Sequence, residues 1–230
     1  PHGVTGHIVP WNYPMQIFGR CVGGALAAGN VCVVKPAEDA CLSLLRVAQL
    51  AAEAGFPAGA INIVTGYGHE VGEALARHPG IDHISFTGSP KIGTLIQQVA
   101  AERHCPVTLE LGGKTPNIIF ADADLDAAID NALTAVFLHS GQVCSAGARL
   151  LVESSIHDLV VNEIARRADG IVLGGPHDEH AQTGALISSS HRDKVEEYVA
   201  AALAEAAQAH LVGTAMTGIS RVVFEAGAFN

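Results

Sequence analysis

Gly141-Gln142-Val143-Cys144-Ser145-Ala146-Gly147 is a glycine-bounded stretch that presents a single cysteine. The thiolate is the reactive form of cysteine, and small neighbours leave room for a carbonyl to approach it, so Cys144 is a candidate nucleophile. Alone it carries little weight, because most cysteines of intracellular proteins are small buried hydrophobes. Other polar groups follow short apolar runs: Pro10-Trp11-Asn12-Tyr13-Pro14, Lys35-Pro36-Ala37-Glu38, Gly88-Ser89 and Glu110-Leu111-Gly112-Gly113-Lys114. Each has a plain structural reading. Asn12 suits a turn, Lys35 a solvated surface, Glu38 a helix N-terminus and Glu110 an exposed strand end. Their joint recurrence after such runs is what makes them candidates for a site.

The runs themselves, at 7–9, 31–34, 61–64, 83–86 and 107–109, alternate with helical stretches. That rhythm predicts parallel strands joined by crossover helices, an α/β fold with an open parallel, Rossmann-like sheet. Ligands of such sheets gather beyond the carboxyl ends of the strands, where the polar groups stand. The sequence predicts a helix over 42–54, closed by Gly55 and Pro57, and a shorter one over 70–77 stopped by Pro79-Gly80. Ser89 can cap a helix reaching about residue 103, with Pro90 in its first turn. After Gly112-Gly113 the alternation resumes with different contents, which places a boundary there: one lobe over 1–111, and part of a second α/β lobe over 112–230. The second lobe begins with a strand at 117–120, a helix over 125–138 capped by Asp124, and a strand at 148–152. A helix follows Ser190 with Val195, Val199, Ala202 and Leu203 on one face, opposite Lys194, Glu196 and Glu197; it is expected to pack against a sheet. Beyond Gly213 the pattern frays.

Composition narrows the classes of function. A formal net charge of −10 opposes the phosphate attraction on which nucleic-acid binding rests. No apolar run approaches the ~20 residues that cross a bilayer, and no signal peptide is evident, so a cytoplasmic protein away from membranes is expected. The five cysteines, an odd number, show neither CxxC pairing nor a regular framework and read as reduced thiols. His177-Asp178-Glu179-His180 follows Gly174-Gly175-Pro176 and reads as a solvated loop, so no metal site is expected.

Taken with the cysteine stretch, these segments closely resemble the aldehyde dehydrogenase superfamily, from the segment near residue 10 to Gly184-Ala185-Leu186-Ile187-Ser188 and the helix after it. The resemblance implies oxidation of a small aldehyde to an acid with a nicotinamide dinucleotide. Cys144 would form a thiohemiacetal and then a thioester, Asn12 would donate to the developing oxyanion with the Cys144 backbone N–H, and Glu110 would serve as general base for thioester hydrolysis. A carboxylate does that work when a partly apolar site raises its pKa. The lobe over 1–111 would hold the cofactor and that over 112–230 would be part of the catalytic lobe. The resemblance implies cofactor contacts from Ile8, Pro10, Trp11, Lys35, Glu38, Gly88, Ser89, Gly93, Leu111 and Gly112. Gly88-Ser89-Pro90-Lys91-Ile92-Gly93 replaces the usual Gly-x-Gly-x-x-Gly, offering backbone N–H groups at a helix start to a pyrophosphate. Glu38 would accept bonds from a ribose 2′-hydroxyl and repel a 2′-phosphate, so NAD is expected in preference to NADP.

The family's proteins are longer at both ends, and in full length a homo-oligomer is expected. The later Glu-x-Phe-Gly-Pro motif is absent, Val223-Phe224-Glu225-Ala226-Gly227 being no substitute, and His139-Ser140 stands where an asparagine is common. Two other functions stay open on the sequence: an inactive remnant that binds a dinucleotide or associates with other subunits, and a cofactor-free thiol esterase built on Cys144 and Glu110.

Overall fold

The computed structural model describes residues 1–212, with side chains through residue 204. Residues 223–227 therefore lie outside the described residues. The chain divides into two compact units, residues 1–111 and 112–229.

The first unit contains a five-stranded, all-parallel sheet. In chain order its elements are β1 (Val4–Val9), α1 (Pro14–Ala27), β2 (Val31–Pro36), α2 (Leu42–Glu53), β3 (Ile61–Ile63), α3 (Glu73–Arg77), β4 (His83–Gly88), α4 (Pro90–Ala101) and β5 (Val107–Leu111). The strand order is β3-β2-β1-β4-β5. Successive crossovers run outward from β1 to β3, and the chain then returns to the other side of β1 to lay down β4. The order reverses between β1 and β4, the place where open parallel sheets form a crevice.

The pleat explains which side chains go where. Ile84 and Phe86 of β4 join Leu75, Ile96 and Ala100 of α3 and α4 in one apolar cluster. Val9, Cys32 and Val34 join Ile17, Phe18 and Val22 of α1 and Leu44 of α2 in a second, on the opposite face. The alternate residues of β4 and β5, namely His83, Ser85, Thr87, Thr108 and Glu110, share the α1 face with Thr5 and His7 of β1 and are polar, so that face is apolar over β2 and at Val9 of β1. α4 starts as its sequence predicts: Ser89 Oγ accepts from Ile92 N at 3.4 Å, and Pro90 opens the helix.

The second unit contains β6 (Pro116–Ile119), α5 (Leu125–Phe137), β7 (Arg149–Val152), α6 (His157–Asp169) and α7 (Ser189–Val212). Strands β6 and β7 pair in parallel, from Pro116↔Arg149 to Ile119↔Val152. Ile129 and Ala132 of α5 pack with Val160 and Ile164 of α6 and with Ile119. Asp124 caps α5, its carboxylate accepting from Ala127 N at 3.3 Å. α6 has no counterpart in the sequence reading. The packing expected of the helix after Ser190 is also corrected: Val199 is 52% and Leu203 67% exposed.

Among the described residues no helix is long and apolar enough to cross a membrane, and no group of three or more His, Cys, Asp and Glu could hold a metal ion. The Asp178 carboxylate serves its own loop, accepting from His180 N at 3.0 Å.

Candidate active site

In the first unit, parallel register brings the chemistry to one edge. Ile8 lies between Lys35 of β2 and Phe86 of β4, and Thr87 pairs with Glu110. Pro10, Trp11 and Asn12 therefore leave the carboxyl end of β1 beside the ends of β2 and β4, from which Glu38 and Ser89 follow. Asn12 is buried, 4% exposed, in the bend between β1 and α1.

Lys35 is not a solvated lysine. Its side chain is 3% exposed and its ammonium donates to Glu38 Oε2 at 2.8 Å, the Glu38 side chain being 43% exposed. Burial by itself raises the Glu38 pKa. The Lys35 hydrogen bond and charge, together with the backbone N–H groups of Glu38 and Gly68, outweigh it and hold the carboxyl below its ordinary value. A buried cation with a half-exposed carboxylate at its tip is a fixed, oriented acceptor.

The glycine pair around α4 divides its labour. At Gly93 a Cβ would sit 2.7 Å from Leu111 Cδ2, and the Gly93 N–H already donates to Ser89 O at 2.9 Å. Gly93 thus lets α4 approach β5, and its own N–H is used within the helix. Glu110 is 53% exposed, lies 3.8 Å from Arg20 of α1, and faces a cleft of about 370 Å³ that His7 and Thr108 also line.

In the second unit the cysteine loop is assembled from unusual backbone. After α5, His139 (φ 56°, ψ 36°) and Ser140 (φ 58°, ψ 31°) are both left-handed, followed by Gly141 at φ 76°. Only the glycine adopts this without cost; for the other two it is roughly 1–2 kcal/mol each. Side chains hold the kink in place. Ser140 Oγ donates to Gly184 O at 2.9 Å and lies 2.8 Å from Thr183 Oγ1. Gln142, 7% exposed, accepts from Ile187 N at 2.9 Å and donates through Nε2 to His139 O at 3.2 Å. Beyond them a turn closes with Ala146 N donating to Val143 O at 3.2 Å, and Gly147 N returns to Ala135 O on α5 at 3.2 Å. Cys144 rides that turn, half-buried, with Ala146 and Ala148 buried behind it. Gly113 passes alongside, a Cβ there lying 3.9 Å from the Cys144 carbonyl oxygen, so Gly112-Gly113 runs next to the cysteine loop. All five cysteines are unpaired.

The structure therefore groups Ile8, Pro10, Trp11, Asn12, Lys35, Glu38, Gly88, Ser89 and Glu110 at the carboxyl ends of one sheet, and Gly112 with Cys144 in the second unit. Three participants escape the sequence reading. Arg20 faces Glu110 from a helix, and Ser140 and Gln142 act through partners more than forty positions later. For Gln142 a buried amide beside a cysteine was the available signal.

The aldehyde dehydrogenase family model matches residues 1–224. The chain is 49% identical over 208 residues to betaine aldehyde dehydrogenase of Bacillus subtilis, covering 90% of this chain and 42% of that protein. With retinal dehydrogenase 2 of Homo sapiens the identity is 47% over 209 residues, covering 90% and 40%. The chain thus spans about two fifths of the length of the curated relatives it matches. Among solved structures, betaine aldehyde dehydrogenase of Staphylococcus aureus in complex with NAD+ superposes with a TM-score of 0.87 at 44% identity, over 89% of this chain and 41% of that one. A crystal structure from Burkholderia cenocepacia, 57% identical, covers 100% of this chain and 47% of its own, with a TM-score of 0.84. A match that runs through both units and carries the cysteine loop with it settles the kinship: the chain belongs to the aldehyde dehydrogenase family.

Proposed function

We propose that this chain forms the cofactor-binding and nucleophile-bearing part of an NAD-dependent aldehyde dehydrogenase of the cytoplasm. The observation that carries the proposal is the loop itself: a half-buried Cys144 on a turn pinned at both ends, in a chain similar to betaine aldehyde dehydrogenase. Cys144 sulfur adds to the aldehyde carbon, making a C–S bond and moving the carbonyl electron pair onto oxygen. The Asn12 amide and the Cys144 N–H donate to that oxygen, each such donor being worth roughly 3 kcal/mol in comparable sites. When bound, NAD+ supplies the acceptor for the hydrogen and electron pair that leave carbon. Glu110 takes a proton from the water that cleaves the resulting thioester, and the thiol is regenerated.

Support for the cofactor comes from the sheet. The order reversal between β1 and β4 leaves Pro10 to Asn12 and Ser89 beside the usual crevice, and Lys35 with Glu38 lies one strand along, on the far side of β1. NAD+ is present in the Staphylococcus aureus relative. A further structure of that enzyme, a point mutant, is in complex with NAD+ and has a BME-modified cysteine.

The test is NADH formation by the purified chain with NAD+ and a panel of aliphatic and aromatic aldehydes. Cys144→Ala is expected to remove turnover by at least about 10³-fold. Turnover surviving that substitution would exclude Cys144. Because the chain spans only part of its relatives, a second reading is a binding remnant; NAD+ binding without NADH formation would establish it. Preference for NAD over NADP rests on Glu38. Glu38→Ser should move the NAD:NADP ratio of kcat/KM toward NADP by about tenfold or more, since it removes an anion and leaves the Lys35 ammonium for a 2′-phosphate. An unchanged ratio would take Glu38 out of the cofactor site.

A further inference from the structure

We infer that Gln142 is a positioning residue for the nucleophile, acting as the front anchor of the cysteine loop; the catalytic part of this inference rests on the proposed function. The loop leaves α5 through two successive left-handed non-glycine residues, a backbone that costs free energy. A backbone held that way needs constraints from outside, and the structure supplies two. The Ser140 hydroxyl ties the kink to Thr183 and Gly184. The Gln142 amide spans the gap between the kink and the next segment, accepting from Ile187 N at 2.9 Å while donating to His139 O at 3.2 Å. Its position explains why these bonds matter. Cys144 sits two residues on, in a turn whose rear is fixed by Gly147 N on Ala135 O. Without the Gln142 tie that turn keeps its rear anchor and is left in front with the more distant tie at Ser140. The direction of the Cys144 N–H is set by the peptide between Val143 and Cys144, on the freed side.

Two substitutions in the full chain separate this role from plain packing. Gln142→Met keeps size and shape and removes both bonds. Gln142→Glu keeps the acceptor for Ile187 N and gives up the donor. Alkylation of Cys144 by iodoacetamide is followed by mass spectrometry of its peptide, with half-buried Cys41 in the first unit as internal reference and circular dichroism as a check of folding. In Gln142→Met, Cys144 should alkylate several-fold faster with Cys41 unchanged, because a loosened loop uncovers the thiol. Aldehyde oxidation should move the opposite way, kcat falling by about 10- to 100-fold with KM nearly constant, as for a nucleophile displaced by about 1 Å. Gln142→Glu should lie between wild type and Gln142→Met in both measurements. A folded Gln142→Met variant that alkylates at the wild-type rate would overturn the inference. So would a Gln142→Glu variant no better than Gln142→Met. If the wild-type chain oxidises no aldehyde, the proposed function fails while the alkylation rates still decide the anchor.

Discussion

His7 is the residue at which burial, hydrogen bonding and charge give the most definite consequence. Thr5 Oγ1 donates to Val31 O at 3.0 Å, so the short 2.8 Å contact to His7 Nε2 has the imidazole N–H donating to the threonine oxygen. His7 Nδ1 is then the bare nitrogen, buried without a partner. Adding a proton there would put a charge and an unaccepted N–H into a site 3% exposed. Burial first, and the neighbouring His83 second, lower its pKa to about 4. In the unfolded chain it titrates near the ordinary value of 6.5. The unfolded state therefore binds the extra proton between those values, and the stability that His7 contributes is full above the upper one and lost as pH falls through the lower one. Over that window the loss is about 3 kcal/mol. Urea unfolding of wild type and His7→Gln should show it as a steeper acid decline in the wild type; parallel declines would mean that the imidazole does not titrate as its surroundings require.

At the scale of elements, the sequence is legible where a local signal and the tertiary environment agree. Ser89-Pro90 before α4 and Asp124 before α5 are capping chemistry, and both side chains make the cap bond. The alternation Ile84-Ser85-Phe86-Thr87 in β4 does face one apolar and one polar side. Where partners lie far along the chain, sequence reading falls short. β1 begins at Val4, earlier than its apolar run suggests, because Thr5 and His7 are buried polar residues that satisfy one another. α6 has no side-chain cap and buries only Val160 and Ile164, so its periodicity is faint. Beside that apolar contact Arg167 adds ion pairs with Asp126 and Asp130 of α5 and with Glu163 of its own helix, partners that sequence position does not reveal. α7 errs in the opposite sense, its apolar stripe being plain and its described side chains largely exposed. The candidate site divides along the same line. Cys144, Asn12 and Glu38 are recognisable by residue type and place, whereas Gln142 is defined by a backbone N–H 45 positions away.

For the whole chain, the decisive feature is that each apolar cluster among the described residues belongs to one of the two units. Two clusters flank the five-stranded sheet and the third lies between α5, α6 and the small sheet. Units with separate cores can unfold separately, and the chain carries its own reporter, since its one tryptophan, Trp11, lies in the first unit. Far-ultraviolet circular dichroism in urea should show two transitions, only one of them shared with Trp11 fluorescence. Acid pH should move them unequally. The first unit contains His7 and His83, both lowered by burial; among the described residues of the second, His191 is lowered, by burial and by Lys194. Each of these histidines stabilises the fold while neutral, so each contribution shrinks as pH drops below the unfolded value. Lowering the pH from about 7 to about 5 withdraws about 2 kcal/mol through His7, and with a urea slope of 1–3 kcal/mol per molar the fluorescence midpoint should fall by about 1 M. The transition invisible to Trp11 should fall by less. A single transition, coincident by both probes and shifting as one, would show that the two cores unfold as one cooperative body.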